Sequence, residues 1–220
     1  MTQPNAAVRL SPPKNPVGGR IALPGSKSIT NRVLLIAALA RGTSHISGAL
    51  KSDDTTYMAQ ALRQLGVTVT ESGAADFVVE STGVLTAAKE PLFLGNAGTA
   101  VRFLTAAAAL IDGETVLTGD AHMQKRPIAP LVAALNAAGV TASAPSGCPP
   151  VTVTSRGGFA NRGVTVDASL SSQYVSALLM AGVAGETPLR LGVAGGDIGA
   201  RGYIDITLAC MRAFGAEIAQ

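Results

Sequence analysis

Three apolar stretches rich in Ala and Leu punctuate the chain: NRVLLIAALA from Asn31, AVRFLTAAAAL from Ala100 and YVSALLMAGVA from Tyr174. Each is apolar on nearly every side, the pattern of a helix enclosed by protein rather than laid on a surface. A short polar run opens each: Ser26-Lys27-Ser28, Asn96-Ala97-Gly98-Thr99 and Ser171-Ser172-Gln173. A glycine turn closes each, at Gly42-Thr43, Gly113-Glu114-Thr115 and Gly185-Glu186-Thr187. A second, half-polar helical stretch follows and ends at Leu65-Gly66, Ala138-Gly139 and Phe214-Gly215. The turn glycines lie 71 and 72 residues apart and the terminal glycines 73 and 76. Self-similarity at a fixed period means one supersecondary unit used three times.

Residues 1–20 are rich in Pro and Gly and read as an extended leader. Unit one, about 21–90, is expected to run from a strand IALPG to a helix from Ile29 and a short strand near His45–Gly48. A helix Asp53–Leu65 follows, capped by Asp53 or Asp54 and closed by Gly66, and then the paired strands VTVT and DFVVE. Unit two, about 91–163, repeats the plan with ETVLTG as strand and PIAPLVAALNAAG as helix, Pro127 standing near its first turn. Unit three, about 164–220, holds LRLGVA and YIDITLACMRAFG. Only AEIAQ follows Gly215, so the third copy is expected to be cut inside its first closing strand, as in a truncated or split chain. Strands alternating with helices indicate an α/β fold. Three all-apolar helices in one chain place helices inside and sheets outside.

Across 220 residues, 47% are apolar and 14% charged, and the mean hydropathy is +0.35. Such a chain either buries its sheets and helices unusually well or keeps an apolar surface for a partner. The net charge of +3 comes from scattered Lys and Arg, and the few Phe and Tyr do not interleave with a basic run, so nucleic acid is not indicated. Cys148 and Cys210 lack CxxC spacing, and His45 and His122 form no HxxH pattern, so no metal is expected. The first residues lack the layout of a signal peptide, and FLTAAAALI is too short to span a bilayer. The expected location is the cytoplasm, with no membrane partner.

The polar runs carry the chemistry. In Leu23-Pro24-Gly25-Ser26-Lys27-Ser28-Ile29-Thr30-Asn31-Arg32 a tight turn aims backbone N–H groups and two hydroxyls at one spot. Lys27 adds a mobile charge, and Arg32, four residues after Ser28, shares its helix face and is suited to fork onto phosphate or carboxylate. The alternative is a helix cap followed by a solvated Lys and Arg. In Leu94-Gly95-Asn96-Ala97-Gly98-Thr99-Ala100-Val101-Arg102, Gly98 permits close backbone approach and Thr99 is a candidate cap. Site and plain cap stand equal there, and Arg102, inside an apolar helix, calls for a structural ion pair. Ser171, Ser172 and Gln173 supply neutral donors suited to a phosphorylated polyol, or an ordinary cap. Arg126, just before a helix, is placed to reach a shared anion, or is an ordinary surface arginine. Asp53-Asp54 reads as a charge pair at a helix N-terminus rather than as acid–base machinery.

Together PGSKSITNR, LGNAGTAVRF, QKRPI, SLSSQY and YIDIT closely resemble the 5-enolpyruvylshikimate-3-phosphate synthase (3-phosphoshikimate 1-carboxyvinyltransferase) family, over the chain from about residue 10 and along its N-terminal half. The resemblance implies one lobe of an inside-out α/β barrel, built from three β-α-β-α-β-β units, with the leader packed on a second lobe. It implies transfer of the enolpyruvyl group of phosphoenolpyruvate to the 5-hydroxyl of shikimate 3-phosphate, through a tetrahedral adduct, with release of phosphate and no metal or cofactor. This is a step of the shikimate pathway to aromatic amino acids, and glyphosate occupies the phosphoenolpyruvate site. By motif, Lys27, Ser28, Arg32, Ser171, Ser172, Gln173 and Tyr203 would hold shikimate 3-phosphate. Lys27, Asn96, Gly98, Arg126 and Gln173 would hold phosphoenolpyruvate, with Lys27 the catalytic group of this half.

Where the family has a serine three residues before the tyrosine, this chain has Ala200, followed by Arg201. The second lobe, which supplies the family's acid–base Lys and Glu and further Arg clamps, has no counterpart here. The expected chain is therefore inactive without it. Two alternatives stand beside this reading. One is the sister UDP-N-acetylglucosamine enolpyruvyl transferase, whose GAKN-like first motif and reactive cysteine loop are not matched. The other is a non-catalytic half-lobe that binds a phosphorylated ligand.

Overall fold

A computed structural model of the chain describes residues 9–184, 189–195 and 200–219. The turn expected at Gly185-Glu186-Thr187 lies outside the described residues. Unit one consists of α1 (Lys27–Leu39), β1 (Arg41–Ile46), α2 (Asp53–Gln64), β2 (Thr68–Ser72) and β3 (Asp76–Thr82). Unit two consists of β4 (Leu92–Phe93), α3 (Gly98–Ala107), β5 (Asp112–Thr118), α4 (Ala129–Ala137), β6 (Thr141–Ser143) and β7 (Val151–Arg156). Unit three consists of β8 (Gly163–Asp167), α5 (Ser172–Ala184), β9 (Arg190–Ala194) and α6 (Gly202–Ala213).

Each unit carries its own sheet. Unit two has the full order β4-β5-β7-β6, with β4 parallel to β5 and the other pairs antiparallel. Unit one has β1-β3-β2, which matches β5-β7-β6. Unit three has parallel β8-β9, which matches β4-β5. The apolar helices lie between the sheets: all of α3 is buried, and it packs on α5, while α1 packs on α2 and α6. One continuous core runs through all three units.

The repeat extends to single hydrogen bonds. Ser81 on β3 donates its hydroxyl to the carbonyl of Ala38 at the end of α1, and Ser155 on β7 does the same to Ala109 beyond α3, both at 2.6 Å. Each serine ties an outer sheet to an orphan carbonyl of an inner helix. Ser155→Ala is expected to cost about 1–2 kcal/mol, since that carbonyl would be left buried without a donor. Urea unfolding checks this. Gly66, Gly139 and Gly215, with φ 89°, 80° and 85°, end α2, α4 and α6 in the same way. The glycine N–H donates three residues back (Arg63, Asn136, Arg212) and the next N–H five back (Leu62, Leu135, Met211). That left-handed closing turn requires a residue without Cβ strain, and so the glycines mark the period.

Four expectations change. IALPG forms no strand: residues 9–24 are all exposed without regular structure, with Ile21 84% and Leu23 81% exposed. Pro24 has no N–H to give a ladder. Gly25 is pressed against the Gly48–Leu50 backbone, where a Cβ would come within 2.3–2.5 Å. Ser52, not Asp53 or Asp54, caps α2: it is extended, its N–H donates to Thr55 Oγ1 at 2.9 Å, and both aspartates fall in the first turn. Helix α3 starts at Gly98, so Thr99 is inside it and Ala97 holds the cap position without a side-chain bond. In α4 the first-turn proline is Pro130, because Ile128 holds the cap position and leaves Pro127 outside.

Candidate functional site

The N-termini of α1, α3 and α5 meet at one end of the core around a cleft of about 750 Å³. Ser26 caps α1, its Oγ accepting the Ile29 N–H at 3.4 Å, and Ser171 caps α5, its Oγ accepting the Gln173 N–H at 3.2 Å. Helix α3 has no side-chain cap, and its first N–H, of Gly98, donates to the Asn96 carbonyl at 2.9 Å, while its N-terminal end lines the cleft. All ten residues singled out from the sequence line this cleft: Lys27, Ser28 and Arg32 from α1, Asn96, Gly98 and Arg126 from unit two, Ser171, Ser172 and Gln173 from the start of α5, and Tyr203 from α6.

Their settings differ. Lys27 is half exposed, with Nζ 3.3 Å from Asp54 Oδ1 across the cleft wall. Arg32 is 1% exposed and wholly enclosed. Its Nε donates to Thr207 Oγ1 at 2.6 Å, its Nη1 to the Ser28 carbonyl at 2.8 Å, and its Nη2 to Ser176 Oγ and the Tyr203 carbonyl at 3.2 Å. The guanidinium also stacks on Phe103 and Tyr203, with centroids 5.0 and 5.7 Å away. Burial pushes its pKa below the ordinary arginine value, while Cys210 and Tyr203 act the other way. Arginine nevertheless stays protonated at neutral pH. The shared face of Ser28 and Arg32 is thus real, and at the cleft floor the fork also holds α1, α5 and α6 together.

Arg126 Nε donates to Asn96 Oδ1 at 2.8 Å. The space beside Gly98 is taken by that same side chain: a methyl there would stand 2.8 Å from Arg126 Nη1. The close approach that Gly98 allows is therefore made by Arg126. Arg102 also lines the cleft, but among the described residues the structural ion pair expected for it is not formed. Its partners are the carbonyls of Gly98 and Pro127 and the side-chain oxygen of Gln173. Among the described residues, the salt bridges join Lys27 to Asp54, Lys51 to Glu71 and Arg63 to Glu71. Neither Arg32 nor Arg102 pairs with a carboxylate among the described residues.

The sequence reading did not assign Tyr57, Phe93, Asp120 or Leu170 to the site, although they line it too. Asp120 Oδ1 accepts the N–H groups of His122 and Met123 at 2.9 Å, which engages its charge in a turn. Tyr57 and Phe93 meet edge to face at 5.9 Å. Single aromatics without a polar motif give no signal in sequence. Ala200 lies on the wall, whereas Arg201 is exposed and off it. Neither cysteine lines the cleft.

The family model of EPSP synthase (3-phosphoshikimate 1-carboxyvinyltransferase) matches residues 12–220. The chain belongs to this family. A 3-phosphoshikimate 1-carboxyvinyltransferase of Pseudomonas syringae pv. syringae is 56% identical over 98% of this chain and 52% of its own length. One of Rhizobium etli is 57% identical over 97% and 51%. The solved EPSP synthase of Acinetobacter baumannii superposes with a TM-score of 0.79 at 29% identity, over 92% of this chain and 45% of that one. The chain thus spans about half the length of the curated relatives it matches, and its fold is one lobe of the enolpyruvyl transferase architecture. Among the described residues, no helix is long and apolar enough to cross a membrane.

Proposed function

We propose that this chain supplies the shikimate-3-phosphate-binding half of an enzyme that moves the enolpyruvyl group of phosphoenolpyruvate to the 5-hydroxyl of shikimate 3-phosphate and releases phosphate. One observation carries the reading. Two buried guanidiniums that pair with no carboxylate among the described residues, Arg32 and Arg102, share one cleft with Lys27, Arg126 and three helix N-termini. Buried cations without counter-charge favour an anionic ligand, and fixed donors around it cost little reorganisation when charge develops. Ser28, Arg32, Ser171, Ser172, Gln173 and Tyr203 would hold the sugar and its phosphate. Asn96, Gly98, Arg126 and Gln173 would hold phosphoenolpyruvate, and Lys27 would reach both substrates, exchanging Asp54 for the ligand. Holding two anions in register supplies much of the rate of a reaction of this kind.

A second lobe is the partner in this reading. Leu10 and Val17 of the leader and Ile21 and Leu23 just after it are 81–89% exposed, and Phe93, Leu170 and Tyr203 at the cleft mouth 45–65%. Apolar surface on this scale fits a covering body, and residues 1–20 would dock on it. The chain alone would bind but not turn over, since in this reading the acid–base Lys and Glu come from the second lobe. A phosphate-release assay with both substrates tests this. The isolated chain is expected to be silent and its mixture with the C-terminal half of the Pseudomonas syringae relative active. Turnover by the chain alone would overturn the half-site reading.

A further inference from the structure

Arg102 has a task that neither its helix nor an ion pair accounts for. It is 9% exposed, on a helix otherwise made of apolar and small residues. Its Nη1 donates to Gln173 Oε1 at 2.8 Å and its Nη2 to the Pro127 carbonyl at 3.1 Å, while its Nε is buried with no partner among the described residues. The guanidinium also lies over Tyr174, 5.5 Å from the ring centre, and the Tyr174 hydroxyl donates to that same Pro127 carbonyl at 2.8 Å.

Guanidinium has donors and no acceptor. The side-chain oxygen of Gln173 must therefore face Arg102, which turns its NH₂ group the other way. There Thr99 Oγ1 accepts one hydrogen, at 3.4 Å. Among the described residues no acceptor takes the second hydrogen, which remains for the cleft that Gln173 lines. Through Pro127, Arg102 also steadies the backbone that carries Arg126. We propose that Arg102 is a positioning residue that locks the Gln173 amide as an obligate hydrogen-bond donor toward the anion in the cleft. The cleft is thereby biased against ligands that need an acceptor at that point. This rests on the shikimate 3-phosphate reading above.

Two experiments on the full chain test it. In a two-dimensional ¹H–¹⁵N spectrum, the Gln173 side-chain N–H pair is expected at positions distinct from those of free glutamine, and Arg102→Met moves it there while the backbone pattern persists. Unmoved signals in a folded Arg102→Met overturn the proposal. This arm does not depend on any ligand, so it decides the positioning role even if shikimate 3-phosphate fails to bind. The second variant, Gln173→Glu, keeps an acceptor for Arg102 but presents no donor. Thermal stability is expected to be unchanged or higher, while shikimate 3-phosphate affinity falls about 10-fold or more. Affinity equal to that of the unaltered chain would overturn the proposal, and this arm stands even if Arg102→Met does not fold.

Discussion

Lys27→Met, in an enzyme assembled from this chain and the C-terminal half of the Pseudomonas syringae relative, is expected to lower turnover at least about tenfold. Methionine keeps the length of the side chain and removes the charge. Lys27 stands at the first position of α1, 48% exposed, with a carboxylate 3.3 Å away in Asp54. A compact cation on a flexible stem is suited to leave that partner for an incoming anion. An exposed pair contributes little to stability, so the fold should hold within about 1 kcal/mol. A steady-state assay of phosphate release reads the effect, and a near-normal rate would remove Lys27 from the catalytic role.

Arg32→Met is expected to act on the fold first and on the ligand second. Its guanidinium makes four hydrogen bonds, to α1, α5 and α6, and stacks on two rings. The Thr207 and Ser176 hydroxyls would still bond each other at 2.8 Å, so the loss is partial. A cost on the order of 2 kcal/mol follows from the stranded acceptors and lost packing. For a chain of this size that lowers Tm by about 4–8 °C in a thermal scan. Arg32→Lys should recover little, because an ammonium does not span three helices as a planar fork does. A melting curve unchanged by either substitution would contradict the view of Arg32 as the staple under the cleft.

Much of this was legible in the chain because the repeat is written in residues whose conformations are narrowly constrained. The glycines that close α2, α4 and α6 sit at left-handed φ, and the apolar runs of α1, α3 and α5 have one way to be buried. What was not legible depends on contacts between units. The strand expected at IALPG fails because Gly25 presses against the Gly48–Leu50 loop and Pro24 lacks a donor. An ion pair was the reasonable expectation for Arg102, yet its partners are a carbonyl after Arg126 and an amide 71 positions away. The adjacency of Arg126 to Gly98 likewise appears only once α3 and the following loop are folded together.

The central claim, that this lobe carries a preformed half-site, is tested most directly by calorimetric titration of shikimate 3-phosphate into the purified chain at low salt. Saturable one-to-one binding is predicted, weakened by added salt because the contacts are largely ionic. No heat from a chain that circular dichroism shows to be folded would contradict it.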